Sequence, residues 1–110
     1  AEATSEKVAM GWYLDGRVSG VVGTHTNVPT ADERILPGGT AHISDVGMTG
    51  CYNSVIGMET SGVLKRFVDR VPERFEVATG PASVFGVVID IDETTGTSRG
   101  IARVRADEKG

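Results

Sequence analysis

Apolar and polar residues alternate across the last third of the chain, and this pattern constrains the fold more than any other feature. Phe85, Val87 and Ile89 take every second position, and the alternation resumes over residues 101–106. A side-chain period of two is typical of a strand with one buried face. The intervening residues 93–96 end in glycine, which suits a tight turn. The pattern therefore predicts a β-hairpin over residues 85–106.

A first helix is predicted close to the start of the chain. Thr4 or Ser5 can cap its N-terminus, and the glycine at position 16 is a typical stop signal. Val8, Ala9 and Trp12 fall on one side at helical spacing, so we expect this side to pack against the rest of the fold.

A second helix is predicted before Pro72, which would end it. Thr60 or Ser61 can cap its start. The apolar positions follow a helical spacing at Val63, Leu64, Phe67, Val68 and Val71.

The remaining elements are predicted to be short strands joined by glycine-rich loops. Residues 18–23 and 40–46 have the composition of strands, residues 34–37 suit an edge strand, and residues 47–54 resemble a loop. Glycine makes up 15 of the 110 residues, and valine and isoleucine far outnumber leucine. The chain is thus predicted to have a β-rich α+β fold with two main helices and a C-terminal hairpin.

Composition excludes several classes of protein. Eleven basic against 15 acidic residues give a net charge of −4, which argues against DNA binding through the phosphate backbone. No apolar run is long enough to cross a membrane, and no secretory signal is visible. A single cysteine, Cys51, excludes an intramolecular disulfide and favours a cytoplasmic location.

Few residues suggest chemistry by themselves. Cys51 has no base beside it in sequence and is best interpreted as a buried or incidental thiol. Asp90 and Asp92 share one strand face, where a solvated surface is a simpler explanation than a cation site. His25 follows the end of an apolar strand, the position at which related folds bind ligands. His42 lies within a predicted strand and is expected to be partly exposed.

The chain resembles the YmdB-type bacterial calcineurin-like metallophosphoesterases. The similarity runs from the start of the chain to about the end of the hairpin, in long stretches that keep the same order. These stretches are residues 2–18, 22–32, 34–37, 39–41, 44–50, 54–58 and 74–77.

This resemblance implies a four-layer αββα fold, with two facing sheets covered by helices on both outer sides. It also implies a dinuclear centre of iron, manganese or zinc that hydrolyses phosphodiesters, with cyclic nucleotides among the substrates. Two cations suit this chemistry because they can orient the phosphate and stabilise its developing charge. The expected partner is a small phosphodiester substrate. No interaction with a membrane is expected, and association between copies of the chain stays open.

The resemblance assigns metal-ligand positions to the loop of residues 24–28. The family sequence here is Thr-His-Thr-His-Val, in which each histidine binds one of the two metals. The first corresponds to His25, and the second falls on Asn27, where this chain departs from the family.

The resemblance also implies that residues 1–110 are the C-terminal part of a single metallophosphoesterase domain whose N-terminal part is absent. The other ligands and the histidine thought to protonate the leaving group belong to that missing part, and one further ligand histidine lies just before Ala1. No catalytic residue is therefore expected in this chain. The isolated chain is expected to be inactive, and either to be marginally stable or to self-associate.

Two other interpretations stay open. The chain could be a non-catalytic module for binding or oligomerisation through the hairpin, or a β-rich domain without a site. His25 and the loop of residues 45–50 favour the enzyme, whereas Asn27 weakens this interpretation. The loop of residues 45–50 could line a phosphate pocket, since glycines let backbone N–H groups approach an anion. A tight turn that needs glycine explains this loop equally well.

Overall fold

The computed structural model describes residues 2–109 and has an α+β architecture. Two helices and six strands make up the described part of the chain. In order, they are α1 (Thr4–Leu14), β1 (Gly20–Val22), β2 (Arg34–Ile35), β3 (Ala41–Ile43), β4 (Thr49–Cys51), α2 (Thr60–Asp69), β5 (Ala82–Ile91) and β6 (Ser98–Asp107). Neither helix in this part of the chain is long and apolar enough to cross a membrane.

The chain divides into two compact units. The first runs up to Met48 and includes Phe85–Arg105, and the second contains Thr49–Val84 and the residues from Ala106 onward. Each unit is described separately below.

The first unit is built around a three-stranded sheet in the order β1-β3-β2. β1 runs parallel to β3, with Val22 opposite Ile43, and β2 runs antiparallel to β3. All three residues of β3 are buried, so this strand forms the centre of the core. The predicted edge position of residues 34–37 is confirmed for β2, while β1 and β3 are shorter than the sequence indicated.

Helix α1 buries a different side from the one predicted. Lys7 and Gly11 are its buried residues, whereas Trp12 is 49% exposed. The side chain of Lys7 finds a buried carboxylate, and Gly11 lets the helix approach the ring of His42. The predicted caps were also wrong: Ala3 is the N-cap, and none of the described side chains caps the helix.

Residues 47–54 were predicted to be a loop, but Thr49–Cys51 within this range form the strand β4. β4 pairs antiparallel with the first residues of β5, so that Thr49 lies opposite Val84 and Cys51 opposite Ala82. The three-stranded sheet β4-β5-β6 contains both arms of the predicted hairpin, which is confirmed.

Helix α2 is confirmed, with different caps. Glu59 rather than Thr60 or Ser61 takes the N-cap position, and no side-chain hydrogen bond caps it. The helix ends at Asp69, and its C-cap residue Arg70 has a left-handed backbone (φ 54°), shortly before Pro72. Val63 is its buried residue, while Leu64, Phe67 and Val68 are exposed.

Candidate metal-ligand loop

The loop that follows β1 opens onto a cavity in the first unit. The cavity has a volume of about 420 Å³, and Lys7, Met10, Val22, His25 and His42 contribute to its lining. His25 is exposed. The structure thus brings the predicted ligand His25 to a cavity at the C-terminal end of a parallel strand, where α/β folds often bind ligands.

The backbone of this loop has an unusual conformation at both predicted ligands. His25 has a φ of 112° and Asn27 a φ of 67°. Side chains other than glycine rarely adopt positive φ, although asparagine and histidine do so more often than most. Such conformations persist only where the surrounding structure holds them, and they cluster at functional sites.

Asp45 holds this loop from the interior. It is fully buried, and its Oδ2 accepts hydrogen bonds from the Thr26 N–H at 2.8 Å and the Thr26 hydroxyl at 2.7 Å. Its Oδ1 accepts from the N–H of Gly47 at 2.9 Å. Burial raises the pKa of Asp45, but the bonds donated by Thr26 and Gly47 outweigh this effect, so its pKa lies below the ordinary value.

Lys7 completes the arrangement. Its ammonium group lies 3.3 Å from Asp45 Oδ2 and donates to the carbonyl oxygen of Thr24 at 2.5 Å. Both side chains are almost fully buried. A buried charge is costly unless it is paired and hydrogen-bonded. The Lys7–Asp45 ion pair and its hydrogen bonds to the loop therefore form one buried network.

Residues just before and just after the loop make further close contacts. A Cβ atom at Gly23 would lie 1.8 Å from the carbonyl oxygen of Ser44, so only glycine fits there. Beyond the loop, the hydroxyl of Thr30 donates to Asp32 at 2.6 Å, and the Ser44 hydroxyl donates to the same carboxylate. Burial raises the pKa of Asp32, but these bonds from Ser44 and Thr30 lower it below its ordinary value.

Residues 45–50 had two interpretations, a phosphate pocket and a tight turn. For Asp45 and Gly47, the structure favours the tight turn. Asp45 points into the interior, where it binds the loop of residues 24–28. Gly47 has a φ of 92°, and a Cβ atom there would approach Pro29 and Phe85 to 3.1 Å. A tight, closely packed turn therefore explains this glycine.

His42 was expected to be partly exposed, and this is wrong. The residue is only 3% exposed, and its Nδ1 lies 2.9 Å from the carbonyl oxygen of Val21. A carbonyl oxygen only accepts, so Nδ1 of His42 carries a proton and donates this hydrogen bond. Nε2 is buried and has no hydrogen-bond partner among residues 2–109.

The remaining candidates show no catalytic arrangement. Cys51 is half-buried, and its thiol lies near the Asn53 and Thr79 carbonyl oxygens at 3.6–3.7 Å. Asp90 pairs with Arg99 on the surface, and Asp92 accepts hydrogen bonds from the backbone and hydroxyl of Thr94 in the hairpin turn.

The residues present fit one part of a metal site. An imidazole is a common ligand for divalent transition metals, and a side-chain amide oxygen is a weaker one. Between Glu2 and Lys109, however, no group of three histidine, cysteine, aspartate or glutamate side chains could hold a metal ion together. A catalytic metal needs about three protein ligands, so His25 and Asn27 do not form a complete centre within the described part of this chain.

Sequence reasoning missed the residues that hold the loop. Thr26 lies between the two predicted ligands, yet its role depends on Asp45, which is 19 residues away along the chain. No local signal marks Lys7 either. A lysine is almost never fully buried unless it is paired, and the partner of Lys7 lies 38 residues away along the chain.

Comparison with known proteins gives matches over nearly the whole chain. The sequence is 59% identical over 104 residues to the 2′,3′-cyclic-nucleotide 2′-phosphodiesterase of Bacillus subtilis (strain 168), covering 94% of this chain and 39% of that relative. The crystal structure of a hypothetical protein from Thermus thermophilus matches with a TM-score of 0.89 and 45% identity, covering 99% of this chain and 42% of that one.

A further crystal structure, described as a novel phosphatase from Mycoplasma pneumoniae, matches with a TM-score of 0.88 and 41% identity. It covers 98% of this chain and 39% of that one, so the chain spans about two fifths of the length of the relatives it matches. The sequence profile of the YmdB-like proteins matches residues 1–104, and the chain therefore belongs to the YmdB-like protein family.

Proposed function

We propose that this chain forms part of a metal-dependent phosphodiesterase and that residues 24–28 are its contribution to the metal centre. One observation carries the proposal. The exposed imidazole of His25 stands on a loop with positive φ angles, beside a cavity, and buried charged groups hold the backbone on both sides of it.

The proposed substrate is a small phosphodiester, with cyclic nucleotides as the first class to test. Support comes from the name of the B. subtilis relative, a 2′,3′-cyclic-nucleotide 2′-phosphodiesterase, together with its 59% identity. The proposed complete fold is the four-layer αββα arrangement, of which the α+β elements described above would form a part.

Within the proposed centre, His25 would bind one divalent ion through its imidazole, and Asn27 would bind the second through its amide oxygen. When bound, such ions activate water and neutralise charge on the phosphate. The chain's own contribution is to present both side chains from one short loop. Because Asn27 is neutral and has an oxygen donor, the ion beside it would favour manganese or magnesium over zinc.

A chimera tests the proposal without assumptions about the rest of this protein. In it, the present chain replaces the matching segment of the B. subtilis relative, and hydrolysis of a 2′,3′-cyclic nucleotide is followed with added Mn²⁺. We expect turnover that is lost in the His25→Ala variant and kept in Arg99→Ala, an exposed position whose surface ion pair contributes little.

The non-catalytic alternative makes the opposite prediction. If the chain is only a module for binding or assembly, the chimera folds and shows no metal-dependent turnover. Equal turnover with and without the imidazole of His25 would also contradict the proposal.

A further inference from the structure

We infer that Lys7, Thr26 and Asp45 are positioning residues that set the direction of the His25 imidazole toward its metal ion. This inference rests on the function proposed above and adds three residues that the sequence resemblance did not assign to the site. None of them is placed in contact with a metal ion or a substrate.

The three side chains hold the backbone on both sides of His25. On one side, the Lys7 ammonium group binds the carbonyl oxygen of Thr24 at 2.5 Å. On the other, Asp45 accepts from the N–H of Thr26 at 2.8 Å. Lys7 and Asp45 also bind each other at 3.3 Å, so a single buried ion pair fixes both neighbours of His25.

The hydroxyl of Thr26 extends this control to Asn27. It donates to Asp45 at 2.7 Å and accepts a hydrogen bond from the N–H of Val28 at 3.2 Å. The backbone on either side of Asn27 is therefore tied to the same carboxylate.

The His25 ring itself has no such support from residues 2–109. None of the described residues forms a hydrogen bond with its imidazole. Metal-binding histidines are usually oriented by a hydrogen bond that the second ring N–H donates to a neighbouring oxygen. Since that bond is missing among the residues described, the orientation of this ring depends on its backbone, which has a φ of 112°.

The ion pair could instead serve only the stability of the core. Thr26 separates the two roles because it is exposed, so its substitution leaves no buried cavity. In the chimera, Thr26→Val removes the hydroxyl and keeps the size of the side chain, whereas Thr26→Ser keeps the hydroxyl. Mn²⁺ affinity is measured by titration calorimetry, and amide hydrogen exchange of residues 24–28 is followed in the metal-free protein.

We expect Thr26→Val to weaken Mn²⁺ binding by about 10–100-fold, the usual effect of losing a group that orients a ligand. Thr26→Ser should restore the affinity. Faster exchange of the loop amides in the valine variant, with an unchanged melting temperature, would show that the loop alone is released. If Thr26→Val melts early, Lys7→Met and Lys7→Arg provide a second pair, with the same loss and recovery expected.

Equal Mn²⁺ affinity in folded Thr26→Val and Thr26→Ser would overturn the inference while leaving the proposed function standing, provided that His25→Ala still loses a metal ion. If His25→Ala loses none, the proposed function fails and the inference fails with it.

Discussion

Gly11 in α1 lies against the imidazole of His42 in β3: a Cβ atom at Gly11 would stand only 2.9 Å from His42 Nδ1. We expect Gly11→Ala to lower the free energy of unfolding by about 1–3 kcal/mol, the usual cost of overpacking a core. The substitution does so although alanine favours a helix over glycine by about 1 kcal/mol. Chemical denaturation checks this.

Gly62 in α2 is the matched control for this substitution. The nearest atoms to a Cβ there are at 3.6 Å, an ordinary contact, so Gly62→Ala should stabilise the protein. In a His42→Ala background the cost of Gly11→Ala should disappear. If Gly11→Ala destabilises equally with and without the His42 ring, the close contact is not the cause.

Acid should remove a contribution to stability that depends on Asp45. The pKa of Asp45 in the folded chain lies below its ordinary value, whereas the pKa of an unfolded aspartate is about 3.9. The stabilisation is therefore complete above the unfolded pKa and is lost as the pH falls through the lower, folded value. We expect the free energy of unfolding to fall more steeply below about pH 4 in the wild type than in Asp45→Asn. Parallel pH profiles of the two proteins would contradict this.

The chain by itself should hydrolyse no phosphodiester. Its described residues assemble no group of three metal-binding side chains, and a catalytic metal needs about three protein ligands. The measurement is release of nitrophenol from bis(nitrophenyl) phosphate in excess Mn²⁺, with His25→Ala as the control. Metal-dependent turnover that disappears in His25→Ala would show this prediction to be wrong.

The parts of the fold that could be predicted from sequence are those with a local signal. α2 follows from its helical spacing of apolar residues, and the β5-β6 hairpin follows from strict alternation and a glycine turn. β4 carried no such signal. Its residues Thr49–Cys51 include a glycine, and they form a strand because Ala82–Val84 supply its hydrogen bonds from some 30 positions away.

The candidate site likewise combines features with a local sequence signal and features that depend on distant residues. The position of His25 beside a cavity was predictable because the residue follows an apolar strand, while its role as a metal ligand stays a prediction from the family resemblance. The burial of His42 was not predictable, since it depends on a glycine of another element, Gly11, that lets the helix approach. The role of Asp45 was missed because its partners Lys7 and Thr26 come from two separate segments that only the folded chain brings together.

The metal content of the chimera, measured by mass spectrometry at a fixed metal supply, decides whether residues 24–28 belong to the metal centre. We expect His25→Ala to lose one ion, because it removes an imidazole ligand. Asn27→His should bind the other ion more tightly, since imidazole is a stronger ligand than an amide oxygen; histidine also tolerates the positive φ of this position. A His25→Ala variant that keeps the metal content and affinity of the wild type would contradict this expectation, because residues 24–28 would then not contribute to the metal centre.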